Sequence, residues 1–369
     1  MAGPTFVKLF RFDPKCPFFR YFEPLPTQYV TRRAVESVSG RISTKRAFVG
    51  LDLGASAIRG VQGTHDGASF TITRSAEVML PIGTVINGRI IDRAQVTAAL
   101  KKLWRQGKFS TRNVKFTISD LNLGFEDSFF TASEALIDAR LLPLGSEPLS
   151  RALICADQLH GHHDLPTLIV DIGSDDLTLV AYLQDDELFS STQPTLGTDL
   201  AVLALTNGLG LERREATQVL FDQGVARSTA SSTAVLIKSW ESTLLDAIHD
   251  GIQQLSARHL DVSRVLITGI GSTIPQLKQA ISDRIQHPVQ FLDSQPTLSA
   301  AVGLAAMSET FHDLLPAPVH EAVALLRIKK WIVVAFVVLG MSSLAFWFYQ
   351  QQQLNDLWQH VDLLRGGAK

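Results

Sequence analysis

Apolar positions are spaced unevenly along the chain, and their spacing divides it into elements. Two apolar runs reach an Asp-x-Gly turn and resume beyond it: Phe48-Val-Gly-Leu-Asp52-Leu-Gly54-Ala-Ser-Ala-Ile-Arg59, and Leu168-Ile-Val-Asp171-Ile-Gly173-Ser-Asp-Asp-Leu-Thr178. Short continuous apolar runs on either side of a glycine predict two β-hairpins. Their likeness to each other predicts a duplicated body of two similar lobes. Further strands are predicted at 69–80 and 114–118, and a helix over 93–106 that opens after Asp92, a good N-cap. In the second half, helices are predicted from Asp199 to Leu209, from Glu212 to Phe221 and through 233–259. The strand Val265 to Thr268 then leads through the turn Gly269-Ile-Gly271-Ser272 to a helix over 274–286, a short strand near 288–292 and a last helix over 297–311. Strands and helices alternate in both halves, the pattern of an α/β fold.

Past residue 313 the pattern changes. Trp331 to Tyr349 is a run of 19 residues without a charge, long enough at about 1.5 Å per residue to cross a hydrocarbon core of about 30 Å. Trp331 at one end, with Trp347 and Tyr349 at the other, suits interfacial anchoring. Arg327, Lys329 and Lys330 stand just before the run, so the positive-inside rule puts residues 1–330 in the cytoplasm and the protein in the inner membrane. After the span, Leu354, Leu357, Val361 and Leu364 recur at coiled-coil spacing, a short seam for a partner helix or a second copy.

Composition agrees with a membrane-attached protein. Apolar residues make up 46% of the 369 and charged ones only 19%, below the roughly 25% of an ordinary soluble domain. Residues 1–46 hold nine Lys/Arg against three Asp/Glu, which leaves the remainder at −8 against a total of −2. This basic tail suits anionic lipid, an acidic partner or plain solvation. Cys16 and Cys155 form no metal or disulfide pattern. The His160-Gly-His162-His163-Asp164 cluster carries metal-ligating groups, but adjacent residues rarely converge on one ion, so it reads as an exposed loop. No nucleophile triad stands out, and nothing in the folded part recommends nucleic acid.

The glycine turns carry the candidate chemistry. A polyphosphate needs backbone N–H donors that converge with no side chain in the way. Gly54 with Ala55, Ser56 and Ala57, and Gly173 with Ser174, would supply one such turn from each lobe. Asp52 and Asp171, ending their strands beside the turns, would hold the water shell of a magnesium ion. Gly269, Gly271 and Ser272 lie between a strand and a helix, where backbone can approach a ribose or adenine.

In this order the motifs resemble the actin-like ATPase superfamily, with its ribonuclease H-like two-lobed fold. Within it the chain looks most like the PilM family of type IV pilus assembly proteins, relatives of the division protein FtsA. The resemblance covers roughly 47–310 and includes Ile86-Asn-Gly88-Arg-Ile-Ile-Asp92, Gly197-Thr-Asp199, the Leu209-Gly-Leu-Glu-Arg-Arg-Glu-Ala216 run and Thr268-Gly-Ile-Gly271. Asp313-Leu-Leu-Pro316 and the span resemble the start of PilN, the membrane partner of PilM. The resemblance implies an ATP and Mg2+ site that includes Arg59 and Gly197, partners like PilN and PilO, and a scaffold that is at most a weak ATPase. It also implies these domains: a tail over 1–46; lobe I over 47–165 and 296–312; lobe II over 166–295; a linker over 313–330; the span over 331–349; and a coil-like end over 350–369. A GspL-like secretion component, a small-molecule kinase of the same superfamily and a nucleotide-free adaptor are the competing readings.

Several positions depart from the family pattern. Only about 45 residues (119–165) fill an interval where the family carries an extra subdomain, which is expected to be reduced or absent. Arg59 replaces a usual lysine, Asp175 and Asp176 replace small hydroxyl residues, and Ile270 replaces a glycine. Together these predict a weakened nucleotide site.

Overall fold

The computed structural model describes residues 48–65, 70–119, 125–161, 164–225, 232–307 and 313–366. The basic tail, His162 and His163 lie outside them. The first lobe begins with β1 (Val49–Leu53), β2 (Ala57–His65) and β3 (Phe70–Met79). A two-residue turn, Asn87-Gly88, joins the short strands β4 (Val85–Ile86) and β5 (Arg89–Ile90), with φ of +48° and +72° at its two positions. Asn-Gly tolerates these left-handed angles, which match the twist of a tight hairpin. There follow α1 (Arg93–Gly107), β6 (Asn113–Ile118), α2 (Phe125–Asp138), β7 (Leu142–Ser146) and α3 (Leu149–Gln158). Asp92 caps α1 as expected, accepting from the Gln95 amide at 3.0 Å. The described part of 119–165 thus completes the first sheet.

The second lobe repeats this plan with β8 (Thr167–Ile172), β9 (Asp176–Leu183), β10 (Asp186–Pro194), α4 (Thr198–Leu209), α5 (Arg213–Gln223), α6 (Ser232–Ala257), β11 (Arg264–Thr268), α7 (Leu277–Ile285), β12 (Val289–Phe291) and α8 (Ser299–Ala306). The strand orders are β3-β2-β1-β6-β7 and β10-β9-β8-β11-β12. In each sheet the first three strands are antiparallel and the last three parallel. The predicted helix over 274–286 starts later, at Leu277, because Pro275 forces a 3-10 turn at Ile270–Thr273 to end first. The predicted last helix is shorter than 297–311 in the described residues: Pro296 opens a 3-10 turn and α8 ends at Ala306.

Each sheet is buried by its own helices, but α3 and α8 cross over. Leu149, Leu153, Ile154 and Ala156 of α3 pack on Ile169, Val180, Tyr182 and Leu266 of the second sheet. The carboxylate of Asp157 fixes that seat: it accepts from the Tyr182 hydroxyl and takes both terminal nitrogens of Arg264, at 3.1 Å each. Conversely, α8 lies on the first sheet, where a Cβ at Gly50 would strike the Ala301 carbonyl. The two helices meet at Gly303, where any side chain would strike the Ala152 carbonyl. Chain passing between the lobes is therefore locked at one close helix contact.

The C-terminal helix α9 (Ala317–Gly366) is continuous. Leu315, Val319 and Val323 complete the first lobe's core; full burial of such side chains is worth about 1.5–3 kcal/mol each. From Val334 to Trp358 the helix is long and apolar enough to cross a membrane, with mean hydropathy 1.3 and none of that stretch buried.

Candidate functional site

The two glycine turns close alike. The Gly54 amide donates to the Ala57 carbonyl at 3.1 Å, and the Gly173 amide to the Asp176 carbonyl at 2.9 Å. Neither glycine has positive φ; each is needed for space. A Cβ at Gly54 would lie 3.1 Å from the Ala57 carbonyl and 3.3 Å from Arg59 Nη1, and one at Gly173 would run into Asp176 Oδ1. Both turns open on one cavity lined by Asp52, Gly54, Ala55, Ser56, Arg59, Ser119, Asp171, Gly173, Ser174, Asp175, Asp176, Thr268 and Gly269. Asp52 and Asp171, each one residue before the end of its strand, therefore line one cleft from the two lobes.

Four of the sequence-predicted residues stand behind the wall. Ala57 is fully buried. Gly197 backs against Ser174, where a Cβ would collide with backbone, and Gly271 packs on Ile172 and Thr198. The Ser272 hydroxyl donates to the Gly269 carbonyl at 2.7 Å. Gly269 has φ +80° and lies so close to Asp171 Oδ1 that a Cβ there would overlap it.

Strand register explains the cleft's charge. Asp52 faces Arg59 across β1 and β2, and Arg59 faces Glu77 across β2 and β3. Arg59 accordingly donates from Nε to Glu77 at 2.9 Å and from Nη1 to Asp52 at 3.4 Å. The matching partner of Asp171 in the second lobe is Thr178, so that turn has no cation of its own. Burial, reinforced by the Asp52 charge and only partly offset by Arg59, pushes the Asp171 carboxyl up to about 7. Burial also raises Asp52 against the pull of Arg59. Burial first, then Asp175, Asp171 and Asp52, raise the Asp176 carboxyl well above its ordinary value, against the pull of a hydrogen bond with the Ser119 side chain.

Sequence reasoning missed parts of this site. Asp175 borders the cavity, and its Oδ2 accepts from the Asn87 amide at 2.7 Å, so the β4–β5 hairpin of one lobe is tied to the second lobe's turn. Its carboxyl is raised by burial and lowered by that amide. The Asn-Gly dipeptide signals the hairpin in the sequence, but only the fold brings it to Asp175. Glu77 and Ser119 carry no local signal at all. Beyond Asp175 the cleft widens into an apolar mouth walled by Met79, Ile82, Val202, Phe221 and Ile270, with Arg213 held to Asp199 at 2.6 Å. The cavity volume is about 350 Å³ in the mouth and only about 40 Å³ at the deep end.

The donor set suits a cation-bound anion. Arg59 Nη2 is buried without a hydrogen-bond partner, a costly state that an anion would relieve; Asp176 Oδ2 is also without one, but as an acceptor it gains nothing from an anion. Asp52 and Asp171, both lining the cavity, are the residues that would hold the water shell of a magnesium ion. Among the described residues no group of three or more His, Cys, Asp or Glu is placed to hold a metal ion. Cys155 is a free, buried thiol raised to about 11 by burial.

No family model matches the sequence, and no curated protein does at a significant level. Solved structures do match. A PilM–PilN type IV pilus biogenesis complex aligns at TM-score 0.63 and 16% identity, over 72% of this chain and 99% of that one. The ethanolamine utilization protein EutJ from Carboxydothermus hydrogenoformans aligns at 0.57 and 17%, over 71% and 89%. MreB5 of Spiroplasma citri bound to AMPPNP aligns at 0.55 and 13%, over 70% and 94%. With its duplicated five-stranded sheets, its facing Asp-x-Gly turns and these likenesses, the chain has the actin-like α/β fold, extended by one long apolar C-terminal helix.

Proposed function

We propose that this chain is a membrane-anchored, nucleotide-binding scaffold of a type IV pilus or related secretion platform, PilM-like, whose lobes dock partner proteins at the inner membrane. The observation that carries the reading is the pair of matching turns: Asp52 with Gly54, and Asp171 with Gly173, line one cleft from opposite lobes. The apolar mouth would take the nucleoside, and the turn amides beyond the two glycines would meet the phosphates, with Arg59 Nη2 as a further donor. Magnesium, when bound, would neutralise phosphate charge between Asp52 and Asp171. The likeness to PilM in a complex with PilN supports, through fold alone, a pilus-type membrane partner. With the span at its C-terminal side and positive residues before it, the body would face the cytoplasm.

Thermal melts of the full chain in detergent with Mg-ADP or Mg-ATP test the nucleotide part. Ligand at about a hundred times Kd should stabilise by about 2.7 kcal/mol, and Gly54→Val should abolish the effect. A flat titration would instead favour a nucleotide-free adaptor, the reading that the tight, acidic deep end supports.

A further inference from the structure

The two turns differ at one equivalent position. Seven residues separate Asp52 from its register partner Arg59 and Asp171 from its partner Thr178. Five positions past each aspartate, Ala57 closes the first turn and Asp176 the second, each through its backbone carbonyl. An alanine thus suffices to make this turn. Asp176 is nevertheless 3% exposed, its Oδ1 covers Gly173 and its Oδ2 has no partner. A buried carboxylate with an unmet oxygen costs stability, so its presence calls for a use.

Its position indicates the use. Asp175 borders both the mouth and the deep end, but Asp176 lines the deep end alone. A nucleoside seated in the mouth would point its phosphate chain inward, and the last phosphate would be the one to reach Asp176. There it would meet the Asp176 carboxyl, which lies over the face of Gly173 where backbone should be open to it and leaves the deep end only about 40 Å³ of open space. We propose that Asp176 limits the phosphate length this cleft accepts, so that it takes a nucleoside diphosphate in preference to a triphosphate. The inference rests on the nucleotide reading above and assigns the selectivity of that same site.

Calorimetric titration of the full chain in detergent with Mg-ADP and Mg-AMPPNP tests it. In the wild type, ADP should bind at least about tenfold more tightly. Asp176→Ala, which copies the first turn and clears the face of Gly173, should raise AMPPNP affinity about tenfold and leave ADP within about threefold, whereas the isosteric Asp176→Asn should leave both affinities within about threefold of the wild type. Both variants should melt no lower than the wild type, since each removes a buried carboxylate. Equal wild-type affinities, unchanged AMPPNP binding in Asp176→Ala, or loss of ADP binding in well-folded variants would each overturn the selectivity role. If ADP binds without discrimination, the nucleotide reading survives alone; if neither nucleotide binds any of the three proteins, the nucleotide reading itself falls.

Discussion

Asp52, Arg59 and Glu77 stand in one row across three strands, while Asp171 has only Thr178 opposite. The same Asp-x-Gly sequence therefore carries different protonation chemistry in the two lobes. With its folded value near 7, Asp171 stays neutral in the folded protein over a range where the unfolded chain, near 3.8, has already ionised. The stability it contributes is complete below about pH 4 and is lost as pH rises through about 7. In EDTA, the wild type should accordingly melt lower at pH 8 than at pH 5. Asp171→Asn should flatten that fall and raise Tm at pH 8 by at least about 3 °C, as read by differential scanning calorimetry. If the variant melts below the wild type at pH 8, the buried carboxylate is not the strained group described.

At the scale of elements, the β4–β5 hairpin is the part of the first lobe that reaches the second lobe's turn. Its hold is the Asn87 amide on Asp175, a charge-assisted bond between half-buried groups. On the far side, α3 and α8 meet at Gly303 with no room to slide apart by side-chain rearrangement. Opening of the cleft thus depends on the hairpin side letting go. Asp175→Ala should speed hydrogen exchange of the Asn87 amide by roughly tenfold or more, for a bond worth about 1.5–3 kcal/mol. Exchange at Val265 to Thr268, inside the second sheet, should stay unchanged. Uniform acceleration in both places would mean general loosening, without a latch.

Across the whole molecule, α9 joins the first lobe to the apolar stretch as one continuous helix, with Val319 and Val323 seated in the lobe's core only a few turns before Val334. A body joined this way would hold a fixed tilt to the bilayer, useful for presenting a docking face. The expectation is concrete: the full chain expressed in bacteria should remain in the membrane pellet after alkaline carbonate washing. Release into the supernatant would leave the exposed apolar helix in need of a protein partner instead of a lipid bilayer.

The sequence alone carried everything that is local or periodic. Apolar runs marked the strands beside both glycine turns, Asp92 marked the start of α1, and nineteen uncharged residues marked the apolar helix, because these signals arise from neighbours along the chain. It also carried amphipathic spacing over α2 and α3 that the predicted elements do not include, whereas β7 and β10 have little pattern to read. β10, for one, is an edge strand with little burial to pattern it. Only the tertiary structure decided that Arg59 neutralises Asp52 and leaves Asp171 bare, that Asn87 holds Asp175, and that Asp176 lies over Gly173. Each depends on strand register or on the approach of two lobes, and contacts between residues far apart in the chain leave no spacing to read.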